Sequence, residues 1–119
     1  MALSKTLVPA INAVSVAAAG SQDSGWLTLA DAYEAGFDLK ITNGATGPTI
    51  AQTISVYLSP DQAKQYLMAA YTGGTANNDV TQVAGVTIPR WAKYVKFIAT
   101  GNTGQAVTAD VSLTKITSL

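Results

Sequence analysis

Asp31, Glu34 and Asp38 form the one acidic cluster of this 119-residue chain. Two carboxylates can cleave a glycosidic bond when they face each other across a cleft at a defined separation. Here Asp38 falls on the polar side of an alternating stretch, so the cluster reads as solvated surface. Asn77-Asn78-Asp79 offers oxygen ligands of the kind calcium takes. A single carboxylate is a poor divalent-cation site, and Asn beside Gly73-Gly74 reads as turn chemistry instead. Gly44-Ala-Thr-Gly47 and Gly101-Asn-Thr-Gly104 lack the Gly-Lys-Ser/Thr ending of a phosphate loop. The chain has no cysteine and no histidine, hence no thiolate nucleophile and no imidazole for proton transfer near neutrality. The expectation is a protein that is not an enzyme, with no cofactor and no metal.

Arg90, Lys93 and Lys96 interleave with Trp91 and Tyr94, the residue types of a single-strand nucleic-acid platform. Seven basic residues are balanced by seven acidic ones, so the positive excess that counterion release requires is missing. No nucleic-acid partner is expected, and the lysine stems read as cover for apolar surface. Charged residues make up only 12% of the chain while apolar ones make up 48%. A low-charge surface of Thr, Ser, Asn and Gly suits a protein that lives in an assembly. No apolar run approaches the ~20 residues that span a bilayer, so no membrane partner is expected. The stretch Leu7 to Ala19 has the outline of a secretory signal, but Pro9, Asn12 and Ser15 interrupt it. It is read as part of the working chain.

The elements that must position these groups are strands. Phe37, Leu39 and Ile41 alternate with Asp38, Lys40 and Thr42, and Ile54, Val56 and Leu58 alternate with Ser55 and Tyr57. With Asn43-Gly44 and Gly47-Pro48 between them, these two runs are expected to pair as a hairpin. A second hairpin is expected at the C-terminus, where Thr87–Thr100 and Ala106–Ile116 flank Gly101–Gln105. Its core side would be Val95, Phe97, Val107, Val111 and Leu113, with Tyr94 and Lys96 exposed. Ala30–Ala35 can form one helical turn ending at Gly36. Ser59-Pro60-Asp61 has the composition of a helix start, yet Tyr66–Tyr71 also reads as a strand, and residues 62–71 stay open between the two. Seven or eight short strands with turn signals every eight to twelve residues predict an all-β fold, an antiparallel β-sandwich or jelly roll with at most one or two short helical turns. Residues 1–12 are expected to be an N-terminal arm or edge segment, with Pro9 barring a central strand, and residues 13–119 a single sandwich domain.

The runs Ser24-Gly-Trp-Leu27, Phe37-Asp-Leu-Lys-Ile-Thr-Asn43, Ile54-Ser-Val-Tyr-Leu-Ser59 and Trp91-Ala-Lys-Tyr-Val-Lys-Phe-Ile-Ala-Thr-Gly101 resemble small β-sandwich proteins of tailed-bacteriophage virions. The resemblance covers most of the chain from about Val14 onward. It implies a capsid decoration (cement) protein, assembled in the host cytoplasm and located in the virion. It further implies a major capsid protein or another virion protein as partner, and a homo-oligomer, dimer or trimer. The Ala-Lys-Tyr-Val-Lys-Phe strand is also similar to strands of carbohydrate-binding jelly rolls. The alternative reading is therefore a carbohydrate- or receptor-binding module of a head fibre or tail. Trp26 and Trp91 are read as closing the sandwich. The contact residues expected are Leu3, Leu7, Val8 and Ile11 on the arm, with Tyr57, Tyr66, Tyr71, Tyr94 and Lys96 on the domain. Removing residues 1–11 is expected to weaken attachment and leave the sandwich folded.

Overall fold

The computed structural model describes residues 4–118, and every regular element in that span is a strand. In chain order they are β1 (Ser4–Val16), β2 (Ser21–Asp23), β3 (Leu27–Thr28), β4 (Glu34–Asn43), β5 (Thr53–Ser59), β6 (Tyr66–Thr72), β7 (Val80–Thr87), β8 (Tyr94–Thr100) and β9 (Val107–Ser118). One sheet has the order β1-β9-β4-β7 and the other β2-β8-β5-β6, with β3 also paired to β8. All pairings are antiparallel. The Cα envelope is 17 Å in its shortest dimension, as expected for two sheets packed about 10 Å apart.

The pairing is nested. β5 pairs with its neighbour β6, β4 with β7, β2 and β3 with β8, and β1 with β9. A long antiparallel ribbon has in effect been rolled around the β5–β6 turn, which is jelly-roll topology. β2 and β3 act as one interrupted strand. At the interruption the Ser24 hydroxyl accepts the Phe97 N–H at 2.9 Å and the Ser24 N–H reaches the Phe97 carbonyl at 2.9 Å. Gly25 then takes a left-handed φ of 71° that carries the chain past the gap.

The inner faces meet in one core. β4 supplies Phe37, Leu39 and Ile41, and β9 supplies Val107, Ala109, Val111 and Leu113. Ile54, Val56, Leu58, Val95, Phe97 and Ala99 come from the opposite sheet. Phe97 is central, with its ring edge-on to Phe37 at 5.3 Å, and Phe37 is edge-on to Tyr71 at 6.1 Å. Each end of the sandwich is closed by a polar group. At one, Asn102 is fully buried and its Nδ2 donates to the carbonyls of Val16, Ala17 and Gln105 at 3.0–3.3 Å. At the other, Lys115 points inward at a core-side position of β9 and bonds Asp31.

Neither expected hairpin forms. β8 and β9 lie in different sheets, as do β4 and β5, so Gly101–Gln105 and Gly44–Gln52 are crossovers between layers. The buried Asn102 is the physical reason at the first crossover. Its side chain ties the loop to the end of β1 across the sandwich, which a two-strand hairpin turn has no use for. The open question at residues 62–71 resolves as a loop followed by β6. The cap chemistry of Ser59-Pro60-Asp61 is present: the Ser59 hydroxyl accepts from Gln62 N–H at 2.7 Å, and Asp61 Oδ1 from Ala63 and Lys64 N–H at 2.9 Å. Gln62, however, adopts φ 68° and turns the chain out of a helical course into β6. Ala30–Tyr33 is a turn leading into β4.

Candidate interaction surfaces

The structure divides the expected contact residues among three places, and a fourth place on the surface holds none of them. Leu3 lies outside the described residues. On β1, Leu7 is 65% exposed on the outer face, Val8 is half-buried, and Ile11 is only 2% exposed within the core. Ile11 is therefore a core residue rather than a contact residue. The register shift between Pro9 and Ile11 turns it inward against Val111 of β9. Tyr71 is likewise half-buried, because it pairs with inward-facing Ile54 and meets Phe37.

The outer face of the β8 sheet holds the second group. Tyr57 and Lys96 are directly paired across β5 and β8. The Lys96 ammonium sits 4.6 Å from the centroid of the Trp26 ring and 5.9 Å from that of Tyr57, and donates to Gln65 Oε1 at 2.9 Å. Tyr94 and Lys96 are half-buried rather than exposed. Lys96 is thus spent on covering Trp26 by a cation–π contact. Arg90 instead pairs with Glu34 at 3.4 Å, so the basic residues of this stretch do not line one track.

The third place is a corner that the sequence reading divided. Tyr66 at the start of β6 is 50% exposed, and Trp91 in the turn before β8 is 52% exposed. Their rings meet edge-to-face at 6.0 Å. Leu67, 61% exposed, adjoins Tyr66 on β6, and Tyr33 stands out from the neighbouring turn. Trp91 was expected to close the sandwich; it stands outside because the smaller Ala92 fills that buried position. Leu67 was missed because residues 62–71 stayed open between helix and strand. Strict alternation would have turned Leu67 inward with Ala69 and Tyr71; the irregularity between Leu67 and Ala69 sets it opposite Tyr57 on the outer face instead.

The fourth place is a hollow of about 630 Å³ on the outer face of the β4 sheet. Its floor is Gly36, where any side chain would press within 2.9 Å of the Val86 carbonyl. Lys5, Glu34, Asp38, Thr87, Thr114 and Ile116 stand around it. The acidic cluster of the sequence is divided here: Glu34 and Asp38 border the hollow, whereas Asp31 turns to Lys115. The hydrogen bond from Lys115 holds the Asp31 carboxyl below its ordinary range, and backbone N–H groups, that of Lys64 foremost, do the same for Asp61. In the polar loop, Asn77 Oδ1 accepts the Gly47 N–H at 2.8 Å, a turn-to-turn brace.

No protein-family model matches the chain. No curated protein sequence matches it either. Solved structures do share its shape. A chain in the structure of infectious bursal disease virus Gx strain superposes with a TM-score of 0.55 at 10% identity, covering 94% of this chain and 31% of that one. The K3 cleaved adhesin domain of Lys-gingipain (Kgp) from Porphyromonas gingivalis W83 gives 0.53 at 13% identity, covering 95% and 72%. The SPBc2 prophage-derived protein YomS gives 0.48 at 15% identity, covering 97% and 96%. The likeness is one of fold. The chain spans about a third of the virus chain it matches, and the same architecture serves a virus structure and a bacterial adhesin domain.

Proposed function

We propose that this protein is a non-enzymatic structural component of a virus particle, a decoration (cement) protein that binds and stabilises an assembled capsid shell. The observation that carries this reading is the exposed aromatic corner of Tyr66 and Trp91. Large aromatic side chains left half in water at one end of a low-charge sandwich are the anchors of protein interfaces. The absence of histidine and cysteine, and a fold that a virus structure contains, support the same reading. Docking by this corner onto a repeating lattice multiplies a modest contact into stable attachment.

The test adds purified protein to assembled shells of its cognate major capsid protein, then measures co-sedimentation and shell melting temperature. Saturable binding and a raised melting temperature are expected, with Trp91→Ala plus Tyr66→Ala weakening binding by ~30-fold or more. Shells that leave the protein in the supernatant would sink the proposal.

One observation favours the second reading, a carbohydrate- or receptor-binding module. The hollow over Gly36 is bordered by Glu34, Asp38, Lys5, Thr87 and Thr114, groups that hydrogen-bond hydroxyls. A glycan that raises the melting temperature of the parent but not of Asp38→Ala would favour it.

A further inference from the structure

The sandwich has open sheet edges, and they are not alike. β1, on one flank, carries Lys5, Pro9, a left-handed Ala13 at φ 51° and three register shifts. Charge, proline and bulges are the devices by which proteins keep an edge strand from pairing with another chain. β7 carries a register shift against β4 and Gly85 at φ 71°. β6 is different. Tyr66-Leu-Met-Ala-Ala-Tyr-Thr72 has no charge, proline or glycine, and no charged side chain occurs from Gln65 to Asn78. Its single irregularity, opposite Val56 and Tyr57, leaves Ala69–Thr72 in regular register with β5. Among the described residues no strand pairs with its other side, so those residues present a backbone row at the end of a sheet.

We propose that β6 is the dimerisation edge of this protein, pairing antiparallel with β6 of a second copy about a two-fold axis at Ala70. The self-pairing suits the strand. Ala70 is exposed on the outer face and small, so two copies meet across the axis without a clash. In this register Ala69 stands opposite the partner's Tyr71, and both face inward, as they do against Val56 and Ile54. Because no residue of the segment is charged, the strand meets itself without like-charge repulsion. Main-chain hydrogen bonds supply affinity, as in other strand additions. The dimer joins two sheets into one continuous sheet and sets the two Trp91 corners at opposite ends, where each engages a separate shell site. The dimer itself is a property of the isolated chain, so its test does not depend on shell binding.

The full chain, 12.2 kDa, is expected to show about twice that mass by light scattering on a sizing column. Ala70→Lys places two ammonium groups face to face at the axis and should give a folded monomer. Thr6→Lys, on the guarded β1 edge, should remain a dimer. Amide exchange at residues 69–72 should quicken on dilution in the parent, a readout that stands even where Ala70→Lys fails to fold. A monomeric parent, a trimer, a dimer that survives Ala70→Lys, or exchange at 69–72 independent of concentration would each overturn the proposal. A parent that is monomeric alone and acquires protection at 69–72 only on shells would assign the edge to a shell strand instead.

Discussion

Lys115 Nζ lies 3.0 Å from Asp31 Oδ1 and 3.3 Å from the Thr28 carbonyl, at the closed end of the sandwich. The two partners differ in surroundings: the lysine side chain is 9% exposed and the aspartate 56%. The pair clasps the turn before β4 onto the last strand, so that residues distant in sequence share one end cap. An exposed carboxylate alone loses little when unpaired, whereas a buried ammonium without its partner is costly. Lys115→Met should therefore unfold within about 1 kcal/mol of the parent, or above it. Asp31→Ala should lose more, since it leaves the ammonium with one carbonyl. Urea denaturation of both variants checks the order.

The same pair sets an acid limb. Asp31 has its pKa lowered from 3.8 in the folded state, so its contribution is complete above 3.8 and is lost as pH falls through the depressed folded value. The gap in stability between the parent and Asp31→Asn should be constant near neutrality and close below about pH 4. Added salt should shrink it, because the carboxylate is exposed. A gap that widened in acid would reverse the sign argued here.

At the opposite end, Asn102 and Gln52 are both fully buried but differently satisfied. Asn102 Nδ2 serves three carbonyls, and Asn102→Ala should cost about 2–3 kcal/mol by leaving the buried Val16 carbonyl unpaired and cutting the loop's ties to Ala17 and Gln105. Gln52 donates at 3.3–3.4 Å to Val107 and Asn102, and its Oε1 has no partner among the described residues. Gln52→Met should change stability by under about 1 kcal/mol, in either direction. Thermal melts of the two variants side by side distinguish the roles.

Phe97→Ala should cost about 3–5 kcal/mol, because it empties the centre of the core and strips Phe37 of its edge contact. Phe97→Leu should recover much of that loss. Chemical denaturation of both checks whether this ring is the pivot between the sheets.

Removing residues 1–11 is expected to destabilise the sandwich itself. Lys5 to Ile11 pair with Ile116 to Val111 of β9, and Ile11 is buried in the core. A drop of about 2–5 kcal/mol follows from losing a buried isoleucine together with an edge ladder. The sequence expectation, weakened attachment in an intact fold, does not survive this geometry. A truncated chain with the parent's melting temperature would restore it.

Side-chain alternation is a local property, and it was readable. Val95, Phe97, Val107, Val111 and Leu113 face the core as their spacing requires, because a strand turns successive side chains to opposite faces wherever it is placed. Strand composition and turn spacing led to the sandwich or jelly roll that the structure has. Lys115 was not readable: its position on β9 is core-side, and only the Asp31 turn folding over the end makes a charge tolerable there.

What the sequence by itself determined was the alternation of β4, β5, β8 and β9 and which face of each is apolar. Partner choice was decided by the tertiary structure. Gly101–Gln105 has the look of a hairpin loop, and the same residues carry the chain across the core once Asn102 is buried against Val16 and Ala17. β1 meets β9, and Tyr66 meets Trp91, only after the ribbon has rolled. The contact surface depends on the same pairing, since β6 lies at the end of its sheet and Trp91 meets Tyr66 only once the strands are placed. Turn chemistry acts over a few residues; nested pairing is selected by burying two apolar faces at once, and no single stretch of sequence contains that choice.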